Sequence, residues 1–462
     1  MPRLEPSPLP LVHRLSGLCV LAVVACESEP PEDRPDASFQ SDASGSVDGA
    51  EEPALDPCQV EIEPITMRHG ARVEIEFGME VMATMTQLEA SAALEAEARE
   101  DAVSVWASYA ASAESVTLER TGCNPLTVPI EVRPLEWSLL SSWTPGVDVG
   151  PPAREYGAWS IAQLGGRRGL FVVGGFHYFP QQFTPANDVW FYDLERRTWN
   201  ELDDTGSPLT PGGRFAAGPE ANSLLLLGGA RIAADGSLET PRQLQIFRYG
   251  DGALHWEEAP FSSEGPGSYT GAFVRDAKRD RWLSVCGVDT NELGVHCAVA
   301  GYGVSSGWRA IETAGTPPPG RYGFHYAFDQ ENDRIVLVGG QSGGQGVYGD
   351  TWALELAENP PRWVQLFIED AAVKRRNGAF AYDPKGHRLF LWGGTADGET
   401  AVPGLSILRL DRAKESWVHI DTPDSVPSRA SGIAAYDEEA QRIVMGFGNA
   451  RALYTDLYEL SL

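Results

Sequence analysis

The side chains best suited to chemistry in this 462-residue sequence are five arginines at like places, Arg154, Arg214, Arg321, Arg375 and Arg429. A guanidinium is a planar fork of donors that can hold a carboxylate or phosphate by two parallel hydrogen bonds. Repetition equally fits a structural task, with each arginine pairing with backbone carbonyls or with acids of a neighbouring unit. Histidines 177, 255, 296, 325, 387 and 419 are scattered singly. Neither they nor the cysteines show metal-ligand spacing, so no metal and no cofactor is read here. The stretch Ser342 to Gly346 (SGGQG) lacks the Gly-Lys-Ser/Thr ending of a phosphate loop. Cys286 and Cys297 are candidates for a disulfide across a hairpin, the alternative being two buried thiols. Without a Cys-x-x-Cys motif, redox chemistry is not expected of them.

The elements that must position these arginines repeat. In Arg321 to Trp363, an arginine opens a strand ending Phe-Asp. An apolar strand, Arg334 to Val338, then stops at Gly339-Gly340, and a Gly-rich loop leads to a third strand, Asp350 to Leu356. Trp363 lies on a fourth. The diglycine returns at Gly174-Gly175, Gly228-Gly229 and Gly393-Gly394, and in weakened form at Gly287-Val288 and Phe447-Gly448, with a spacing of 52 to 59 residues. Trp199, Trp256, Trp308, Trp363 and Trp417 follow, and the arginines precede, with Ser268 in that place in the third unit. Glycine permits close backbone approaches that a Cβ forbids, and tryptophan brings a large area to pack between units.

Six such units in register resemble the kelch repeat over residues 131–462. The resemblance implies an all-β fold, a six-bladed kelch-type β-propeller with four-stranded blades around a channel. The last unit ends DLYELSL, matching the third strand DTWALEL, and lacks a fourth. The orphan Leu135 to Leu140 looks like the other fourth strands, so an N-terminal strand is expected to close the last blade. In kelch propellers ligands meet the face built from loops entering the first strand and loops after the diglycine. The resemblance therefore carries the five arginines, with His177, Tyr178, Arg231, Asp289, Asn291, Gln341, Asn449 and Arg451, as ligand-binding candidates. A ring of arginines in a chain of net charge −29 would attract an anionic ligand. Galactose oxidase-like copper chemistry lacks a recognisable Tyr-His-Cys set, and no Ser-Asp-x-Gly box suggests a sialidase. Periplasmic sialic-acid mutarotases, six-bladed kelch proteins, supply the enzyme alternative, a sugar mutarotase or epimerase needing one or two acid/base groups in an Arg-containing pocket.

Residues 1–26 place Arg3, His13 and Arg14 before a short apolar run ending Val23-Val24-Ala25-Cys26. This suits a signal peptide and resembles a bacterial lipobox, implying lipidation at Cys26 and a protein anchored in the cell envelope, periplasmic or at the surface. Residues 27–56 are acidic and Ser/Pro-rich and read as a disordered tether. Residues 57–130 read as a small β domain, β-sandwich-like and suspected immunoglobulin-like. Alternating runs are Val60 to Ile65, Ala71 to Phe77, Val103 to Tyr109, Ser115 to Glu119 and Leu126 to Val132, while Met82 to Arg99 has a helix-favouring composition that competes. Cys58 and Cys123, near its ends, are a second expected disulfide. The acidic surface argues against nucleic acid and anionic lipid as partners. The reading is a non-catalytic, envelope-anchored binding scaffold for a protein or glycan.

Overall fold

The computed structural model describes residues 58–462 apart from 61, 145, 179–182, 203, 207–212, 214–215, 221–222, 234–236, 243, 251–252, 260–264, 267–268, 290–293, 345, 368–369, 412–414 and 451. The signal, tether and Cys26 readings lie outside the described residues, as do Arg214, Asn291 and Arg451. No helix of the described residues is long and apolar enough to cross a membrane.

The first strands are β1 (Ile65–Arg68), β2 (Arg72–Glu76), β3 (Met85–Ala90), β4 (Leu94–Ala98), β5 (Ala102–Ala107), β6 (Ala113–Arg120) and β7 (Leu126–Arg133). They form two sheets, ordered β1-β7-β6-β3 and β2-β5-β4, with β1 parallel to β7. In β7 every second residue is buried, so Leu126, Val128, Ile130 and Val132 join Val103, Val105, Val116 and Leu118 in one core. The helix-favouring stretch is helical only in the short α1 (Met79–Thr84) and then becomes β3 and β4. Strand geometry lets Leu94 and Ala96 face the core while Glu95 and Glu97 face water, and that packing overrides local propensity. The run expected from Val60 becomes a strand only at Ile65. Cys58 and Cys123 are disulfide-bonded.

After β8 (Glu136–Ser141) come six further sheets among the described residues. The first is β9 (Ala158–Leu164), β10 (Arg167–Tyr178), β11 (Phe183–Asp193) and β12 (Thr198–Glu201). The second gains an edge strand, β13 (Asp204–Gly206), beside β14 (Ala216–Glu220), β15 (Ser223–Leu227), β18 (Leu244–Gly250) and β19 (Ala253–Glu258). Its loop holds a short pair, β16 (Arg231–Ile232) and β17 (Leu238–Glu239). The third is β20 (Ala272–Asp276), β21 (Arg281–Asp289), β22 (Gly294–Gly303) and β23 (Gly307–Ile311). The fourth is β24 (His325–Asp329), β25 (Arg334–Val338), β26 (Thr351–Glu355) and β27 (Arg362–Phe367). The fifth is β28 (Ala379–Asp383), β29 (Arg388–Trp392), β30 (Leu405–Arg409) and β31 (Ser416–Ile420). The sixth is β32 (Ile433–Asp437), β33 (Arg442–Gly446) and β34 (Leu457–Ser461), with β8 antiparallel to β34 and Trp137 opposite Leu460.

Each of the five downstream tryptophans packs on the sheet before its own. Trp256 meets Phe171 of the first sheet, Trp308 meets Leu225 of the second, and Trp363 meets Leu283 of the third. Trp417 meets Val336 of the fourth, and Trp199 meets Val444 and Phe447 of the sixth. At one end of the sheets an aspartate closing the first strand pairs with the arginine opening the second: Asp276–Arg281, Asp329–Arg334, Asp383–Arg388 and Asp437–Arg442, at 2.7–3.0 Å. All four aspartates are buried, and such pairs hold only because both charges are hydrogen-bonded together.

Candidate functional site

The opposite end of the sheets carries the sequence-predicted arginines, and their geometry repeats. Arg321 donates to both oxygens of Asp350 (2.6 and 2.9 Å) and to the carbonyl of Gly339 (2.9 Å). Arg154 does the same with Asp188 (2.6 and 2.7 Å) and Gly174 (2.8 Å), and Arg429 with Asp456 and Phe447. The guanidinium thus clamps the second strand of its sheet to the start of the third. Asp188, Asp350 and Asp456 are held in turn by Trp190, Trp352 and Tyr458, two residues on. Burial works to raise the Asp188 carboxyl, but the Arg154 guanidinium outweighs it and keeps it below its ordinary range. In the fifth sheet Gly404 stands where the aspartate would, and Arg375 donates to Gly393 O and Ser406 Oγ instead (2.9 and 2.8 Å). Burial lowers Arg375 to about 10, with Asp370 opposing.

These contacts correct the expectation of an anion-binding arginine ring. Arg154, Arg321, Arg375 and Arg429 are at most 1% exposed, and their forks are turned into the framework. Arg214 lies outside the described residues, but the pairing of Gly213 with Ala230 gives Gly213 the place held by Glu155, Tyr322, Arg376 and Ala430, each directly after a clamp arginine. In sequence, therefore, Gly212 rather than Arg214 stands at the clamp position. The third sheet, with Ser268 and Ala298 there, has a disulfide between Cys286 and Cys297 near the same place, where its second strand meets its third.

Clamp backbones link successive sheets. The carbonyls of Arg321, Arg375, Arg429 and Arg154 accept from Gly287, Gly340, Gly394 and Gly448 of the sheet before, at 2.9–3.1 Å. This approach demands glycine: a Cβ on Gly393 would lie 1.9 Å from Arg429 O, and its φ is +66°. Two residues beyond each clamp position stand Tyr156, Thr270, Gly323, Asn377 and Ser431, all left-handed, with φ between 49° and 62°. Gly323 N donates to Thr270 O (3.4 Å), Asn377 N to Gly323 O (2.8 Å), Ser431 N to Asn377 O (2.6 Å) and Tyr156 N to Ser431 O (3.4 Å). Four non-glycine residues in this sparsely populated region form a strained collar, a feature that clusters at functional sites.

The collar opens on a cavity of about 470 Å³ lined by the first strands of the first, third, fourth, fifth and sixth sheets. Asn377 Nδ2 donates to Tyr156 Oη (3.3 Å), and Ser431 Oγ is buried without a partner. Below lie Trp159, Phe273, Tyr326, Phe380, Tyr382 and Tyr436. Burial pushes the Tyr326 hydroxyl up to about 12, and burial with nearby carboxylates pushes Tyr382 and Tyr436 higher still, so these phenols stay neutral. Around the collar, Tyr322 and Gln341 are hydrogen-bonded to each other, as are Asn449 and Glu155. The mouth is therefore walled by phenols and amides rather than by a cationic ring.

The other candidates are dispersed. His177 is half-buried; burial first and Arg154 second lower its pKa, and its Nδ1 is buried without a partner. Tyr178 ends β10. Arg231 pairs with Glu239 (2.7 Å) across β16 and β17, and buried Asp289 pairs with Arg242 (2.9 Å). Sequence reasoning missed Arg376, chain neighbour of the collar residue Asn377, whose Nε is buried without a partner. It also missed the clamp aspartates, although Asp-x-Trp or Asp-x-Tyr stands in three units, at Asp188, Asp350 and Asp456.

Residues 302–462 match the family model of the KLHDC2/KLHL20/DRC7 Kelch-repeats domain. The chain is similar to Adagio-like protein 3 of Oryza sativa subsp. japonica, 28% identical over 123 residues, which are 26% of this chain and 19% of that protein. It is also similar to Acyl-CoA-binding domain-containing protein 5 of Arabidopsis thaliana, 32% identical over 93 residues, 20% of this chain and 13% of that protein. The chain thus spans less than a fifth of the length of either relative. Kelch domains generally mediate protein–protein interactions, and the repeated four-stranded sheets agree with the matched model. Residues 302–462 are thus similar to a Kelch-repeats domain.

Proposed function

We propose that the protein is a non-catalytic binding scaffold: a closed six-bladed propeller that takes a protein or glycan ligand at its collar face, held at a bacterial cell envelope through a lipid on Cys26. Closure is supported by the bonds that run from the sixth sheet to the first, Tyr156 N to Ser431 O and Gly448 N to Arg154 O. We propose an immunoglobulin-like sandwich for the small domain, supported by the orders β2-β5-β4 and β7-β6-β3, with β1 placed on β7 rather than on β2.

The composition of the mouth carries the binding reading. Tyr156, Tyr269, Tyr322, Gln341, Asn377 and Asn449 are rigid aromatics and adaptable amides, the residue types of recognition surfaces. The test is capture of envelope proteins and glycans by the full chain, repeated with Tyr322→Ala and Asn377→Ala. Partners should be lost in both variants and kept in Arg248→Gln, a change at an exposed site on the second sheet; equal retention in all would refute the reading. Anchoring is tested separately by labelled palmitate, which should enter the native chain and not Cys26→Ala. A second reading, a sugar mutarotase, draws on His177, a neutral imidazole with an unpartnered nitrogen beside Arg154 and Asp188. Anomer exchange measured by NMR, abolished in His177→Ala, would favour it.

A further inference from the structure

The small domain rests on the propeller's fifth sheet through specific contacts. Arg388 Nη1 donates to His69 O (3.0 Å) and Arg409 pairs with Glu95 (2.9 Å). The guanidiniums of Arg72 and Arg409 both lie over the Trp106 ring, at 5.2 and 4.6 Å from its centroid. Beside this contact is a cleft of about 340 Å³, lined from the small domain by Arg68, Arg72 and Arg133 and from the fifth sheet by Asp383, Lys385 and Arg388.

Its charge inverts that of the molecule. The chain as a whole holds 36 basic and 65 acidic residues, whereas the side chains lining this cleft include five cations and one acid. That carboxylate, Asp383, is buried and already bound to Arg388 (2.7 Å), so the pair is internally neutral. Four cations remain. Arg68 pairs with Glu136, Arg72 with Glu74 and Glu331, and Arg133 with Glu131, but none of these acids lines the cleft and each is more than half exposed. The Arg133–Glu131 pair is exposed on both sides and contributes little. Arg72 Nε is buried with no partner, and Lys385 is exposed with no partner for its ammonium among the described residues. A concave wall of like charge focuses potential and raises the local concentration of counter-ions.

We propose that this interdomain cleft is a binding site for a small oxyanion, a phosphate or sulfate ester, bridging the small domain and the fifth sheet. The site is distinct from the collar face. Arginine forks match the tetrahedral oxygens of such esters, and the lysine adds a point charge. A half-open cleft of this size suits a compact ester better than a flat membrane surface. Because the ligand would contact both domains, binding should raise the melting temperature of the full chain.

The test is calorimetric titration of the full chain with inorganic pyrophosphate and, separately, with a sulfated disaccharide. The two arms distinguish a phosphate from a sulfated-glycan source. Saturable one-to-one binding of either probe is expected, weakened by about tenfold or more in the double variant R133Q/K385Q and weakened further by added salt. Both side chains are exposed, so the unliganded variant should melt at the native temperature. A control of equal charge change at exposed sites on the second and third sheets, R248Q/R309Q, should bind as the native chain does. Absence of saturable binding by both probes, or equal weakening in the control, would overturn the proposal.

Discussion

Asp350 takes both forks of Arg321 while Trp352 donates to the same carboxylate, so removing it strands a guanidinium with no exposure to water. Breaking a buried pair from one side costs about 3–5 kcal/mol. Asp350→Ala is expected to lower unfolding free energy by that amount in urea titration. His325 gives a pH prediction. It is fully buried, its Nε2 accepts from Gly378 N (2.9 Å), and burial first and Arg375 second hold its pKa down to about 3. A depressed histidine leaves the folded state binding fewer protons than the unfolded state, whose value is near 6.5. Stability from this group is therefore full above pH 6.5 and lost as pH falls from there towards 3. Urea midpoints measured across that window should fall with pH, and less steeply in His325→Gln. At this scale the sequence was half legible. The arginines stood out by recurrence, but their role did not, because only packing decides whether a fork meets a ligand or an aspartate 29 residues downstream.

At the scale of the element, strand pattern and turn chemistry carried most of the reading. Apolar runs such as Arg334–Val338 and Arg388–Trp392 are strands buried on both faces, each ending at a diglycine. What those glycines permit is a contact with the next sheet. Gly393→Ala would drive a Cβ into Arg429 O and force a left-handed alanine, at a cost of more than about 2 kcal/mol. Thermal denaturation checks it, with Gly344→Ala, where a Cβ meets nothing within 4 Å, expected to melt as the native chain does. The collar was not legible, since left-handed Tyr156, Thr270, Asn377 and Ser431 carry no glycine to announce a turn. Arg214 was misaligned by two residues because Gly212 holds the clamp position in the sequence of its unit and register came from spacing alone. In Leu94–Ala98, composition pointed to helix and burial made a strand.

For the whole molecule, the same two backbone bonds join the first, third, fourth, fifth and sixth sheets, and a tryptophan of each of the first five sheets packs on the sheet before. The N-terminal strand was recognisable because Glu136-Trp137-Ser138 repeats the pattern of the other outer strands, and β8 indeed pairs with β34. The cationic cleft was invisible in the sequence, because Lys385 lies 252 residues from Arg133 and 317 from Arg68, and they meet only after the small domain docks. The central claim, that the two ends of residues 135–462 complete one sheet and close a ring, is tested most directly by a covalent bridge. Ser138 and Glu459 are register partners, with Ser138 Oγ donating to Glu459 Oε1 at 2.7 Å. In S138C/E459C under mild oxidation, the account predicts an intrachain disulfide between these cysteines, identified by peptide mass mapping, and a higher melting temperature than the reduced form. Failure of the two cysteines to join in the folded protein, or joining only between separate chains, would contradict it.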